Sequence, residues 1–296
     1  MQIGSTKIAE TFAEAFEMSY ARLVCTACDR YWLDAATREF CGYSSSVIAC
    51  DAEIGIDRWL EPAETLDNRP GVAFLVFGMN REKLAKAVAN RTGQCLMTCP
   101  STNVFDDLPD AEKSIPLGKH IRFFGDGFQK SKKLGERRFW RIPVMDGEFV
   151  VDEKAGIEKG VAGGNIIIQA VDVPSGLNAA RRAAEAVLAL PNVIAPFPGG
   201  VVRSGSKVGS TYKGMVASTA DAYCPTLRGR VESKLNAAAN CAFEIVVDGT
   251  DADAVRTAMR DAINAAAGEG IVEITAGNYG GKLGKYHFHL HELMKV

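Results

Sequence analysis

From Ala21 to Ala27 the chain runs apolar, with the β-branched Val24 and Thr26 that suit a buried strand. Asp29 then opens a predicted helix to Phe40, which Cys41-Gly42 stops. Ser46 to Ala52, around Val47-Ile48, predicts a second strand, and the turn-rich stretch ending Arg69-Pro70-Gly71 leads into a third, Val72 to Phe77. Asn80 caps a predicted helix to about Arg91, and Cys95 to Thr98 predicts a fourth strand. The order is β-α-β-β-α-β.

The order returns downstream: strand Asn165 to Val171, helix Ser175 to Leu190, strand Val193 to Ala195, strand Ala242 to Val247, helix Asp251 to Ala267, strand Ile271 to Thr275. This is the ferredoxin-like arrangement twice over, so an α+β fold of two ferredoxin-like lobes is expected, residues 1–145 and 146–296. Sequence identity between the halves is slight, essentially Ala73-Phe74 against Ala242-Phe243. Ile121 to Phe124, Arg138 to Pro143 and Glu148 to Val151 alternate like short strands and predict a bridging β region.

A chain of 296 residues sits at the size where one core usually splits in two. Apolar residues make up 47% and charged residues 24%, as in folded proteins rather than disordered ones. The net charge of −2 gives no electrostatic reason to expect a nucleic acid or an anionic membrane as partner. Met1 leads into a polar stretch, and no run approaches the roughly 18 apolar residues of a membrane span, so a cytoplasmic protein is expected. The eight cysteines are diluted in a long chain and predict buried thiols, Cys25 and Cys28 included, rather than a disulfide framework.

Four glycine clusters mark the second half: Gly160 to Asn165, Pro196 to Gly200, Gly205 to Ser210, and Gly277 to Gly284. Glycine is accepted where a tight turn or close backbone approach is needed, and paired glycines let consecutive N–H groups point at an anion. Lys207 and Lys282 lie beside such pairs, so a long anionic small molecule would suit them. Ala276 to Leu283 fails the Walker pattern, and no Gly-x-Gly-x-x-Gly opens a helix after a strand, which disfavours ATP or NAD.

These clusters, with Thr11-Phe12-Ala13-Glu14-Ala15-Phe16, Gly93 to Thr98, Phe123-Phe124-Gly125-Asp126-Gly127, Asp221 to Thr226 and His289-Leu290-His291, carry a resemblance that covers nearly the whole chain. It resembles the formylmethanofuran:tetrahydromethanopterin formyltransferases. The resemblance implies a formyl group moved between a methanofuran-type amine and tetrahydromethanopterin, both cosubstrates, with no metal. It implies a homotetramer, or in methylotrophs a subunit of a formyltransferase/hydrolase complex. The modest charge and eight cysteines favour the bacterial, methylotrophic branch over an acidic, heat-adapted one. Ala220 departs from the family pattern, which has asparagine before Asp221, so a contact made by that amide would be missing here.

Formyl transfer needs attack on a poorly electrophilic formamide, stabilisation of a tetrahedral oxyanion, and a proton for the departing amine. Glu244 interrupts the apolar run Ala242 to Val247 and shares a face with Ala242 and Val246; it is the candidate acid, and the resemblance supports a family active-site glutamate here. The alternative for it is a carboxylate on a wet sheet face or in an ion pair. Candidate carrier-binding residues are Gly163, Gly164, Asn165, Phe197, Gly199, Gly200, Ser206, Lys207, Ser210, Asn278, Gly280, Gly281 and Lys282. Asp221, Tyr223 and Cys224 join them: Tyr223 to pack on a flat ring, Asp221 to fix the loop or hydrogen-bond the pterin. His287, His289 and His291 alternate, so on a strand all three would face one way and a metal is conceivable, but the pattern places no carboxylate or thiolate at an assignable distance, and solvated or hydrogen-bonded histidines are the expectation. A subunit that binds carriers without catalysing is the competing class.

Overall fold

A computed structural model describes residues 1–295. The fold is mixed α/β, and the chain divides into two compact units: Met18–Gly160, and Met1–Glu17 with Val161–Val296. These compact units part within two long strands, Phe12–Thr26 and Lys154–Ala170.

In the first unit the central strands run in the order Glu53–Leu60, Gly71–Gly78, the latter part of Phe12–Thr26, then Asn103–Asp106, all antiparallel to their neighbours. Helices Arg30–Cys41 and Arg81–Arg91 bury Leu33, Ala36, Phe40, Leu84 and Val88 against Leu23, Phe74 and Val76. Both start where the local chemistry dictates. The Asp29 carboxylate accepts from the Trp32 N–H and the Asn80 side chain from the Lys83 N–H, each satisfying a donor that a first helical turn leaves over.

Two expected strands are absent here. Ser46 to Ala52 is a turn, with Cys50 N–H on the Ser46 carbonyl, and the strand lies later, at Glu53–Leu60. Arg91 holds this segment: its guanidinium donates to the carbonyls of Phe40, Gly42 and Tyr43 and pairs with Asp51, a set of partners that outweighs the β-propensity of Val47-Ile48. Thr92–Leu96 continues the preceding helix as a π-turn, so the fourth strand is Asn103–Asp106 rather than Cys95 to Thr98. In the expected bridging region, Ile121 to Phe124 is helical, within Gly118–Ile121 and Arg122–Gly125. Strands Arg137–Val144 and Gly147–Asp152 do form, and with Lys130–Leu134 they extend the first unit's own sheet beyond Asn103–Asp106.

The second unit repeats the strand order: Val193–Ile194, Cys241–Gly249, the latter part of Lys154–Ala170, then Ile271–Thr275, extended by Thr6–Ile8 and Gln2–Ile3. Helices Val173–Leu188 and Ala252–Ala266 cover one face through alanines such as Ala180, Ala184, Ala258 and Ala262. Small side chains let helix and sheet approach closely: a Cβ on Gly176 would lie 2.7 Å from the Phe243 ring. Between Val193–Ile194 and Cys241–Gly249 the chain makes a long excursion with little regular structure, a two-residue hairpin pairing Lys207–Val208 with Ala217–Ser218 and three short 3₁₀ turns. Among the described residues, no helix is long and apolar enough to cross a membrane.

Candidate active site

Strand Cys241–Gly249 alternates. Cys241, Phe243, Ile245 and Val247 are buried toward the helices, while Ala242, Glu244 and Val246 lie on the opposite, partly open face. The long excursion folds back along this face, where Val202 N–H donates to the Glu244 carbonyl at 2.7 Å and Glu244 N–H to the Val202 carbonyl at 3.0 Å. On its other side Glu244 pairs in register with Ile167. With its backbone thus satisfied, Glu244 presents its carboxyl to a small cleft floored by Ile167 and Ala242 and walled by Val202–Gly205, Ala220, Tyr223 and Cys224.

That carboxyl makes no hydrogen bond or ion pair among the described residues. Burial at the base of the cleft, where protein crowds it even though part of its surface stays accessible, raises its pKa from 4.5 to about 7. Two phenols lie within its field. The Tyr223 hydroxyl is pushed up by burial, a hydrogen bond to Thr275 opposing, with Glu273 and Glu244 adding to the rise. Tyr279 is raised by burial and by Glu244, a hydrogen bond to Ser206 opposing. Arg203 adds an exposed guanidinium at the rim, with no ion pair among the described residues. A protonated acid is therefore available near neutral pH, flanked by aromatic faces and polar rim groups.

Of the expected residues, Glu244, Tyr223 and Cys224 share this cleft, and Ser206 lies outside its lining, near Tyr279. Asp221 and Lys207 form an ion pair with each other beside it, and Asp221 also accepts from the Ala222 N–H at 2.9 Å. The pair holds the Asp221 carboxyl below its ordinary range. The Cys224 thiol lies 3.5 Å from the Ala220 carbonyl.

Most of the remaining positions have structural partners. Gly163, at φ 89°, forms the bulge in strand Lys154–Ala170, its N–H on Asp248, and Gly164 packs against Val255. Phe197, Gly199 and Gly200 make a tight turn in which Gly200 meets Ala184 of the helix. Ser210 caps its own hairpin turn through the Tyr212 N–H. The Asn165 amide bonds Gly277 in both directions, at 2.6 and 3.2 Å. Asn278 ties its loop to Thr11 and Phe12, and Lys282 is exposed.

Of the two N–H groups expected to point at an anion, that of Gly280 is taken by Asn278 Oδ1 and that of Gly281 by a carboxylate the protein supplies. The Glu14 carboxylate accepts from the N–H groups of Tyr279, Gly281, Leu283 and Gly284, at 2.7, 2.9, 2.6 and 2.5 Å. Burial would raise its pKa, but these four donors prevail and hold it at about 2. The sequence offered no sign of this role, since its partners lie some 265 residues away. Arg203 and Ser204 adjoin the glycine cluster Gly205 to Ser210, and Tyr279 lies within Gly277 to Gly284, the one sequence signal that marks them.

His287 and His289 do project to the same side of strand Tyr286–His289, stacked about Phe12 at 5.0 and 5.2 Å, but His291 lies on the following helical turn and bonds the Ile8 carbonyl. Among the described residues, no three His, Cys, Asp or Glu side chains gather to hold a metal. Cys25 is buried and its thiol strongly raised in pKa, whereas Cys28 is exposed, against the expectation of two buried thiols.

The model of the family described as formylmethanofuran-tetrahydromethanopterin formyltransferase matches residues 1–144, and that of the family's proximal lobe matches residues 147–293. This chain belongs to the formylmethanofuran-tetrahydromethanopterin formyltransferase family. The formyltransferase of Methylococcus capsulatus is 52% identical over 99% of this chain and all of its own. That of Methanopyrus kandleri is 46% identical over 99% and 100%. Among solved structures, the formyltransferase/hydrolase complex of Methylorubrum extorquens with methylofuran contains a chain 45% identical, with a TM-score of 0.95 over 99% of this chain and 98% of that one. The formyltransferase of Methanosarcina barkeri is 40% identical, with a TM-score of 0.93 over 99% and 100%. Family membership thus rests on the full length of the chain, cleft and scaffold alike.

Proposed function

We propose that this protein transfers a formyl group between the amine of a methanofuran-type carrier and N5 of tetrahydromethanopterin, with Glu244 as the general acid. The pterin nitrogen adds to the formyl carbon, the carbonyl π electrons become a tetrahedral oxyanion, and the C–N bond to the furan amine then breaks as Glu244 protonates that nitrogen. The pterin nitrogen releases its proton to solvent, and the reverse reaction uses the same groups. The single observation behind the acid is a carboxyl without a protein partner, kept protonated near neutrality by burial in a cleft. The N–H groups of Ser204 and Gly205, at the cleft wall and without acceptors among the described residues, are suited to the oxyanion. Tyr223 offers a face for a flat ring.

The repeated strand order, second-third-first-fourth in both units, supports two ferredoxin-like lobes. The family models support a division of the sequence near residue 145, into 1–145 and 146–296. Eight free thiols fit a reducing compartment and support a cytoplasmic reaction. A relative in Methylorubrum extorquens is one component of a formyltransferase/hydrolase complex, which supports a place in such an assembly for this chain, with homo-oligomerisation the other arrangement.

Purified protein supplied with both carriers should transfer formyl, and Glu244→Gln should lower kcat at least about a hundredfold with melting unchanged, as for loss of an acid. Tight carrier binding without turnover by the wild type would mark a carrier-holding subunit instead. Near-normal turnover by the variant would remove Glu244 from the chemistry.

A further inference from the structure

Buried at 1% exposure, Glu14 belongs to no ion pair among the described residues, yet both of its oxygens are fully used. Its four donors all come from one segment, Tyr279 to Gly284, so removing this one carboxylate would orphan four main-chain N–H groups at once. The segment is shaped around it. Gly280 and Gly281 take φ of 71° and 72°, which favours glycine, and a Cβ on Gly284 would strike the Ala15 carbonyl and come within 2.8 Å of Glu14 Cγ. The same segment carries Tyr279, whose ring lies 6.3 Å from that of Phe16 and whose hydroxyl lies near Ser206, the residue after Gly205 of the cleft wall.

We infer that Glu14 is a positioning residue of the proposed formyl-transfer site: by gathering the 279–284 backbone around its carboxylate, it sets Tyr279 beside Glu244 before any carrier binds. The inference rests on the acid role proposed for Glu244, but it specifies something separate, a preorganised wall that keeps the acid desolvated. Asn165 and Asn278 fasten the start of the segment, at Gly277 and Phe12, and Glu14 holds it from Tyr279 onward to Gly284. The other titratable groups near Glu14 are His287, in register with it on the neighbouring strand, Tyr279, and the surface pair Lys285–Glu17. Those lining the cleft with Glu244 are Tyr223, Cys224 and, at the rim, Arg203, with Tyr279 outside the lining but within its field.

Glu14→Gln keeps the volume but replaces one acceptor oxygen with an NH2 group that faces donors. Expected outcomes in the folded variant are lost amide-exchange protection at Tyr279, Gly281, Leu283 and Gly284, a fall in kcat of about ten- to a hundredfold exceeding any change in KM, and a Glu244 midpoint lowered from about 7 toward 4.5 as water enters. Carbon-13 titration of the Glu244 carboxyl reads that midpoint whether or not the residue catalyses, so failure of this inference is separable from failure of the proposed chemistry. If Glu14→Gln does not fold, Asn278→Ala, which loosens the same segment at its near end, should move the same readouts in the same direction by less. A folded Glu14→Gln with unchanged protection, midpoint and kcat, or an unmoved Asn278→Ala where the first cannot be made, overturns the positioning role.

Discussion

The two units share a strand order and a pair of capped helices, yet their third strands differ in one decisive respect. Gly71–Gly78 is buried along its entire length, with Leu75 inaccessible and Ala73 covered by Phe105 and Phe139. Cys241–Gly249 is buried only on alternate residues through most of its length, and the open face carries Glu244. In the first unit, Phe105 of the fourth strand and Phe139 of Arg137–Val144 pack with Ala73 on that face. In the second, the chain between Val193–Ile194 and Cys241–Gly249 crosses the face but leaves a cleft. One scaffold therefore serves as packing where both faces are closed and suits the proposed chemistry where one is left partly open, because only the second can hold an acid that is desolvated but reachable.

The largest effect should come from exchanging these roles. Leu75→Glu would place an unpartnered charge where nothing can solvate it, and should cost about 3–5 kcal/mol, read as a collapse in the urea midpoint or failure to express folded protein. Glu244→Leu should instead melt no lower than wild type at pH 8 while losing transfer; a strong loss of stability there would mean that Glu244 has a structural partner. Next, kcat for transfer should be level below pH 7 and fall about tenfold per unit above it, because the acid must be protonated. For stability, the Glu244 contribution, with pKa raised from 4.5 to about 7, is present below pH 4.5 and is lost as pH rises to about 7. Glu14, lowered from 4.5 to about 2, runs the other way, stabilising above pH 4.5 and losing that contribution as pH falls toward 2. A level rate across pH 6–9 would break the contrast between the two carboxyls. The smallest effect concerns what the units have in common: Asn80→Ala and Asp251→Ala each remove one helix cap and should each cost about 1 kcal/mol in chemical denaturation, with little change in transfer.

Where local chemistry decides, the elements were legible. Asp29, Asn80 and Asp251 begin their helices as their side chains require, and Ile271–Thr275 falls where its apolar pattern places it. Glu244 was legible for the same reason, since an acid within an alternating apolar strand stands out by its period alone. Val47-Ile48 and Cys95 to Thr98 were not, because the Arg91 guanidinium and a π-turn continuing the preceding helix override the local preference for strand.

By itself, then, the chain's own order determined the repeated β-α-β-β-α-β pattern, the helix starts and the odd acid of the second repeat, all properties set within a few residues of chain. Only the tertiary structure decided that the glycine-rich segment before the last strand closes around Glu14 instead of a free anion, and that the excursion through Val202 builds the wall of the cleft. Both depend on hydrogen bonds between distant segments, up to 270 residues apart in the case of Glu14 and Gly284, and no periodicity or capping rule reaches that far.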